Sequence, residues 1–151
     1  MQKRILRTTW AFALLGLSVA AVAASSSYER VVDGVAIYFG ILPAEMVRGH
    51  PREHPESGMH GGTAVGESHI VAALFDDKTG RRLSDAEVNA TITGPGGFRT
   101  AKKLESMLIG GGMSYGNYFS MTGPGPYRIE LRIRPRGAAR EIQAVFTWAR
   151  S

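Results

Sequence analysis

The chain has 151 residues, no cysteine and a formal charge of +5, from 18 lysines and arginines against 13 acids. The absent thiols exclude a disulfide framework and thiolate metal ligands, so an apolar core must hold the fold and any soft metal must use methionine sulfur or imidazole.

Lys3, Arg4 and Arg7 precede an apolar run from Trp10 to Ala24 and then Ser25-Ser26-Ser27. That is the charged, apolar and small-residue order of a secretory signal. The apolar run is shorter than the ~20 residues a spanning helix needs, and Ala21-Val22-Ala23 has the small residues of a cleavage site. Residues 1–23 are therefore expected to be a cleaved signal peptide, with residues 24–151 forming one exported, periplasmic domain. Three cations and no acid leave with the leader, which reduces +5 to +2. The remaining basic residues alternate with acids or apolar residues, which excludes a nucleic-acid-binding face.

From Val35 to Leu42 the chain is continuously apolar, as expected of a covered or central strand. Pro43 to Glu67 has no usable period and is rich in Pro, Gly, His, Glu and Arg. A loop beyond ~12 to 15 residues in a compact domain is usually functional or disordered. His69 to Phe75 predicts a second apolar strand, closed by Asp76-Asp77-Lys78-Thr79-Gly80 as a turn. Val88, Ala90 and Ile92 alternate with Glu87, Asn89 and Thr91, which predicts a half-buried strand. Gly94-Pro95-Gly96-Gly97, Gly110-Gly111-Gly112, Gly123-Pro124-Gly125-Pro126 and Pro135-Arg136-Gly137 punctuate the C-terminal part of the chain. Tyr127, Ile129, Leu131 and Ile133 point one way and Arg128, Glu130, Arg132 and Arg134 the other. Ile142, Ala144, Phe146 and Trp148 repeat the pattern.

These signals predict an all-β fold, an immunoglobulin-like antiparallel sandwich of about seven strands with one long loop. Tyr127 opens a late strand after a Gly-Pro corner and is the candidate corner tyrosine of such a fold. A small edge-free barrel is the topological alternative.

All four histidines, His50, His54, His60 and His69, fall within twenty residues. His50-Pro51 and His54-Pro55 disfavour the helix that would place the first two on one face, so those two are expected to be solvated loop residues. Met59-His60 offers a thioether beside an imidazole between Gly58 and Gly61-Gly62, where the backbone turns freely. His69 opens an apolar strand and so has a fixed direction. Met107, Met113 and Met121 bracket a glycine-rich segment. Met121 shares a face with Tyr115 and Phe119 and is expected to fill the core. Met113 follows three glycines and precedes a polar stretch, which is an odd place for a core filler. Thioether with imidazole selects copper, Cu(I) above all, over magnesium or calcium. Hydrolysis finds no support: no Gly-x-Ser-x-Gly elbow, no His-Glu-x-x-His pair and no cysteine nucleophile are expected.

Three segments carry a resemblance: "GVAIYFGILPAEM" ending at Met46, "HIVAALF" opening at His69, and "SMLIGGGMSYGNYFSMTGPGPYRIELRIRP" from Ser106. Together they resemble the periplasmic metal-binding proteins that accompany bacterial high-affinity iron permeases, the Tpd and FetP kind, across nearly the whole mature chain. The resemblance implies an immunoglobulin-like sandwich with a copper site to which the positions of His69 and Met107 contribute, tied to iron uptake. Two positions depart from it: Ser114 stands where the family has histidine, and Val71 stands at its acidic position. The family's late histidine loop has no counterpart in residues 135–141. "FDDKTGRRLSDAEVNATITGPGG" is similar more broadly to YtkA-like immunoglobulin-like modules, which implies fold rather than function.

The leading expectation is a non-enzymatic metal-binding protein, copper first, in trafficking, tolerance or an iron-uptake accessory role. Its candidate ligands are His69, Met107, Met113, His60 and Met59. The expected partners are the metal ion and an inner-membrane permease or other envelope protein, with a homodimer left open. The alternative is a metal-free interaction module of the envelope.

Overall fold

The computed structural model describes residues 28–44 and 66–150. They form eight strands: β1 (Glu29–Val32), β2 (Val35–Pro43), β3 (Glu67–Asp76), β4 (Ala86–Thr93), β5 (Arg99–Ile109), β6 (Gly112–Ser120), β7 (Tyr127–Pro135) and β8 (Ile142–Trp148). The signal peptide expected over residues 1–23 lies outside the described residues, as does most of the long loop.

The all-β expectation holds. The finer picture differs: eight strands form one continuous antiparallel strip in the order β1-β2-β3-β6-β5-β4-β7-β8. β5 is the reason the two halves are not separate sheets. Its first part, Arg99 to Leu104, pairs with β4, and its second, Glu105 to Ile109, pairs with β6. The strip folds over at that crossing so that its ends approach, with Arg30 of β1 lying 5.4 Å from the ring centre of Phe146 in β8. The outcome is a nearly closed barrel-like sheet.

The core follows from the alternation. Val88, Ala90 and Ile92 of β4 and Ile129, Leu131 and Ile133 of β7 are fully buried, as the period-2 pattern requires. Each buried branched side chain contributes about 1.5–3 kcal/mol relative to exposure. Phe39 from one half stacks on Phe146 from the other, centroids 4.6 Å apart and planes 16° from parallel. Met121 is buried in the same core. The Tyr127 hydroxyl donates to the Thr122 carbonyl at 2.7 Å, the backward bond of a corner tyrosine.

Local chemistry sets the turns. Thr79 donates through its amide and its hydroxyl to Asp76 Oδ1, at 2.8 and 2.7 Å, and Gly80 takes φ +67°. These bonds hold the Asp76 carboxyl below its usual range.

Glu130 alternates outward but is only 7 % exposed, because Arg128 and Arg132 fold over its carboxylate at 2.8 and 3.1 Å. The Arg128 hydrogen bond, supported by Arg132, lowers its pKa against the opposing effect of burial. A carboxyl depressed in the folded state stabilises above its unfolded pKa, and that contribution is lost as pH falls through the folded pKa. Glu130→Gln is therefore expected to lower the urea midpoint at neutral pH and to converge with the wild type in acid. Denaturation curves across the acid range read this directly, and a constant gap at every pH contradicts it.

Candidate metal centre

The β5–β6 hairpin sets the geometry of the site. Gly110 and Gly111, at φ +57° and +79°, form a two-residue turn with both central residues in the left-handed region. That turn fixes the register Ile109↔Gly112, Met107↔Ser114 and Glu105↔Gly116. β3 pairs with the other edge of β6, placing His69 opposite Tyr118 and Val71 opposite Gly116. Directly opposed residues share a face, so His69, Val71, Met107, Ser114, Gly116 and Tyr118 all point away from the core.

His69 and Met107 approach Gly116 diagonally from either side. A Cβ built on Gly116 would stand 2.8 Å from His69 Nε2 and 2.9 Å from Met107 Cε, with the Ile70 carbonyl oxygen also at 2.9 Å. The imidazole and the thioether thus meet over a hole in the side-chain layer that only glycine leaves open. Both residues are buried, His69 at 5 % and Met107 at 6 % exposed. Tyr118 stacks on the imidazole, centroids 4.5 Å apart and planes at 20°, which fixes the ring's orientation.

Arg82 lies further along the same face. Its Nη1 donates to the Met113 carbonyl at 2.6 Å and to Ser114 Oγ at 3.4 Å. Its guanidinium covers the Phe75 ring at 4.5 Å and packs on Gly112, where a Cβ would stand 2.8 Å from Cζ. A permanent positive charge is therefore anchored by the Met113 carbonyl, next to Ser114, the cross-strand partner of Met107.

Two of the five candidate ligands, His69 and Met107, are brought together. Met113 is not: it pairs with Leu108 and alternates onto the face of Tyr115 and Phe119, opposite to Met107. A one-residue offset in a strand reverses the side-chain direction, and this removes Met113 from the pair. His60 and Met59 lie outside the described residues, as do His50 and His54.

Gly112-Met113-Ser114-Tyr115-Gly116 does carry the Gly-x-Ser-x-Gly spelling, against the expectation that no such motif occurs. It is not an elbow, because the five residues run inside β6 and Ser114 is only 4 % exposed. A nucleophile elbow needs a strand-turn-helix. The same letters instead place three small residues on one face, and this period-2 run of Gly, Ser and Gly was the available sign of the cradle.

The donor set suits a soft ion. One imidazole nitrogen and one thioether, both uncharged, match Cu(I) and are poor ligands for magnesium or calcium. Among the described residues there is no group of three or more His, Cys, Asp and Glu side chains able to hold a metal. A site built on Met107 falls outside that class of sites.

What the fold and this site define is a class: an antiparallel β domain with a soft-donor pair on one sheet face. No protein-family model and no curated protein sequence matches the chain. Solved structures do match, and they include FetP and P19 proteins and a DUF4426 family protein. A copper-bound glutamate-to-glutamine variant of FetP from uropathogenic Escherichia coli strain F11 is similar with a TM-score of 0.64 at 14% identity, over 81% of this chain and 93% of that one. Copper-reconstituted P19 protein from Campylobacter jejuni has a TM-score of 0.64 at 14% identity, over 82% and 92%. A DUF4426 family protein from Pseudomonas aeruginosa has a TM-score of 0.62 at 7% identity, over 80% and 94%.

Proposed function

We propose that this chain is a periplasmic, non-enzymatic copper-binding protein in which His69 and Met107 supply the imidazole and thioether ligands. The observation that carries this reading is their convergence over Gly116, at 2.8 and 2.9 Å from the same point. Tyr118 orients the imidazole, and burial of both donors excludes bulk water from competing for the ion. The copper-bound FetP and P19 structures support copper as the ion, and a FetP expressed in the periplasm supports the compartment. The accompanying role is copper trafficking, copper tolerance or assistance to an iron permease.

A metal-free interaction module is the second reading, favoured by Val31, Tyr38 and Leu42, which stand 52%, 46% and 44% exposed on the site's own sheet face. Titration of the purified protein with Cu(I) against a competing chelator separates the two. The copper reading expects stoichiometric binding that His69→Ala with Met107→Ala weakens by at least about a hundredfold. Affinity unchanged in the double variant removes it.

A further inference from the structure

The sheet register holds a donor that neither the sequence pattern nor the resemblance points to. Gly116 has two direct neighbours on its face, Val71 from β3 and Glu105 from β5. The three form one row across the strands, with the cradle in the middle. At Val71 the chain lacks the carboxylate that its resemblance leads one to expect. Glu105 places a carboxylate in the same row, on the opposite side of Gly116.

We propose that Glu105 is a third ligand, an oxygen donor that lets the His69–Met107 site hold Cu(II) as well as Cu(I). The inference rests on the copper-binding reading of His69 and Met107. Reach comes first: directly opposed Cβ positions in a sheet are about 4.5–5.5 Å apart, and the two methylenes of glutamate span such a gap. Glu105 is also two residues from Met107 on β5, so both point outward together. Its carboxylate is free to swing, since its ion pair with Lys103 is long at 3.9 Å and the two side chains are 44% and 57% exposed. Exposed pairs of that kind contribute little.

Charge gives the second argument. Neutral imidazole and thioether leave the charge of a bound copper ion uncompensated, and Arg82, held at the Met113 carbonyl, adds a fixed positive charge on the same face. A half-buried cation in that setting needs an anion. On β3, β5 and β6 the carboxylates of this face are Glu67, at the Ser120 end of β3, and Glu105, and Glu105 is the one in the row of Gly116 itself. Donor hardness gives the third argument. Sulfur with nitrogen favours Cu(I), whereas a carboxylate oxygen added to imidazole extends the site to the harder Cu(II).

Purified wild-type protein, Glu105→Gln, and Glu105→Gln with Val71→Glu are titrated separately with Cu(I) and Cu(II), each against a competing chelator, and Cu(II) spectra are recorded by electron paramagnetic resonance. Glu105→Gln is expected to lose at least about tenfold in Cu(II) affinity, to keep Cu(I) affinity within about threefold, and to show an altered Cu(II) spectrum. Val71→Glu is expected to restore Cu(II) affinity, because it returns a carboxylate to the row from the other side. Wild-type Cu(II) affinity and spectrum in Glu105→Gln overturn the proposal while leaving the His69–Met107 reading in place. Failure of the wild type to bind either ion above the His69→Ala, Met107→Ala background overturns both.

Discussion

Gly116→Ala is expected to abolish high-affinity copper binding while leaving the fold in place at reduced stability. The new methyl would stand 2.8 Å from His69 Nε2 and 2.9 Å from Met107 Cε, closer than carbon approaches such atoms. Both side chains would have to rotate away, and a ligand pair displaced from its site loses at least about a hundredfold in affinity. The Ile70 carbonyl, also 2.9 Å away, is backbone and cannot yield as a side chain does. Overpacking of that kind costs about 1–3 kcal/mol, within what an ordinary domain tolerates. Ser114→Ala is the matched control. It changes the next residue on the same face, leaves the cradle open, and costs about 0.5 kcal/mol, because its 3.4 Å contact with Arg82 is long and the Met113 carbonyl still holds the guanidinium. Chelator competition and urea denaturation on the same samples check both halves. A folded Gly116→Ala protein with wild-type copper affinity would show that His69 and Met107 do not ligate over this glycine.

The legible parts of the fold were those where burial imposes a period. β4, β7 and β8 each bury one face, so alternating side chains announced them, and the corner role of Tyr127 followed from its place after a Gly-Pro turn. β5 was hidden because it changes partners midway. Leu104 is buried toward the core and Met107 on the outer face, and two buried residues three apart fit no single alternation. β1 is only four residues long, and its one sign was Asp33-Gly34, whose φ values of +48° and +78° make a hairpin turn into β2. The site divides in the same way. Residue type and resemblance singled out His69 and Met107, but their meeting depends on a register set by Gly110-Gly111 and by the β3–β6 pairing. The same register turns Met113 away and brings Glu105 to the cradle, and neither is readable without knowing which strands are neighbours.

Phe146→Ala is expected to cost about 3–5 kcal/mol, a large share of the roughly 5–15 kcal/mol that holds a domain together. Phe146 is 1% exposed, stacks on Phe39 of β2, and carries Arg30 of β1 over its ring. It therefore joins the last strand to the first two, where the strip comes closest to closing. Its removal deletes ring contacts across that seam and leaves the β3–β6–β5 pairing that builds the cradle untouched. Hydrogen exchange should accordingly show the amides of β1 and β8 losing protection well ahead of those of β3 and β6. Copper affinity, measured where the variant is still folded, should stay within about threefold of wild type. Uniform loss of protection across all eight strands would mean that the seam and the cradle belong to one cooperative unit. In that case copper binding would stabilise the seam as strongly as it stabilises the site, because an ion that binds only the folded state adds its binding free energy to the whole unit that must unfold to release it.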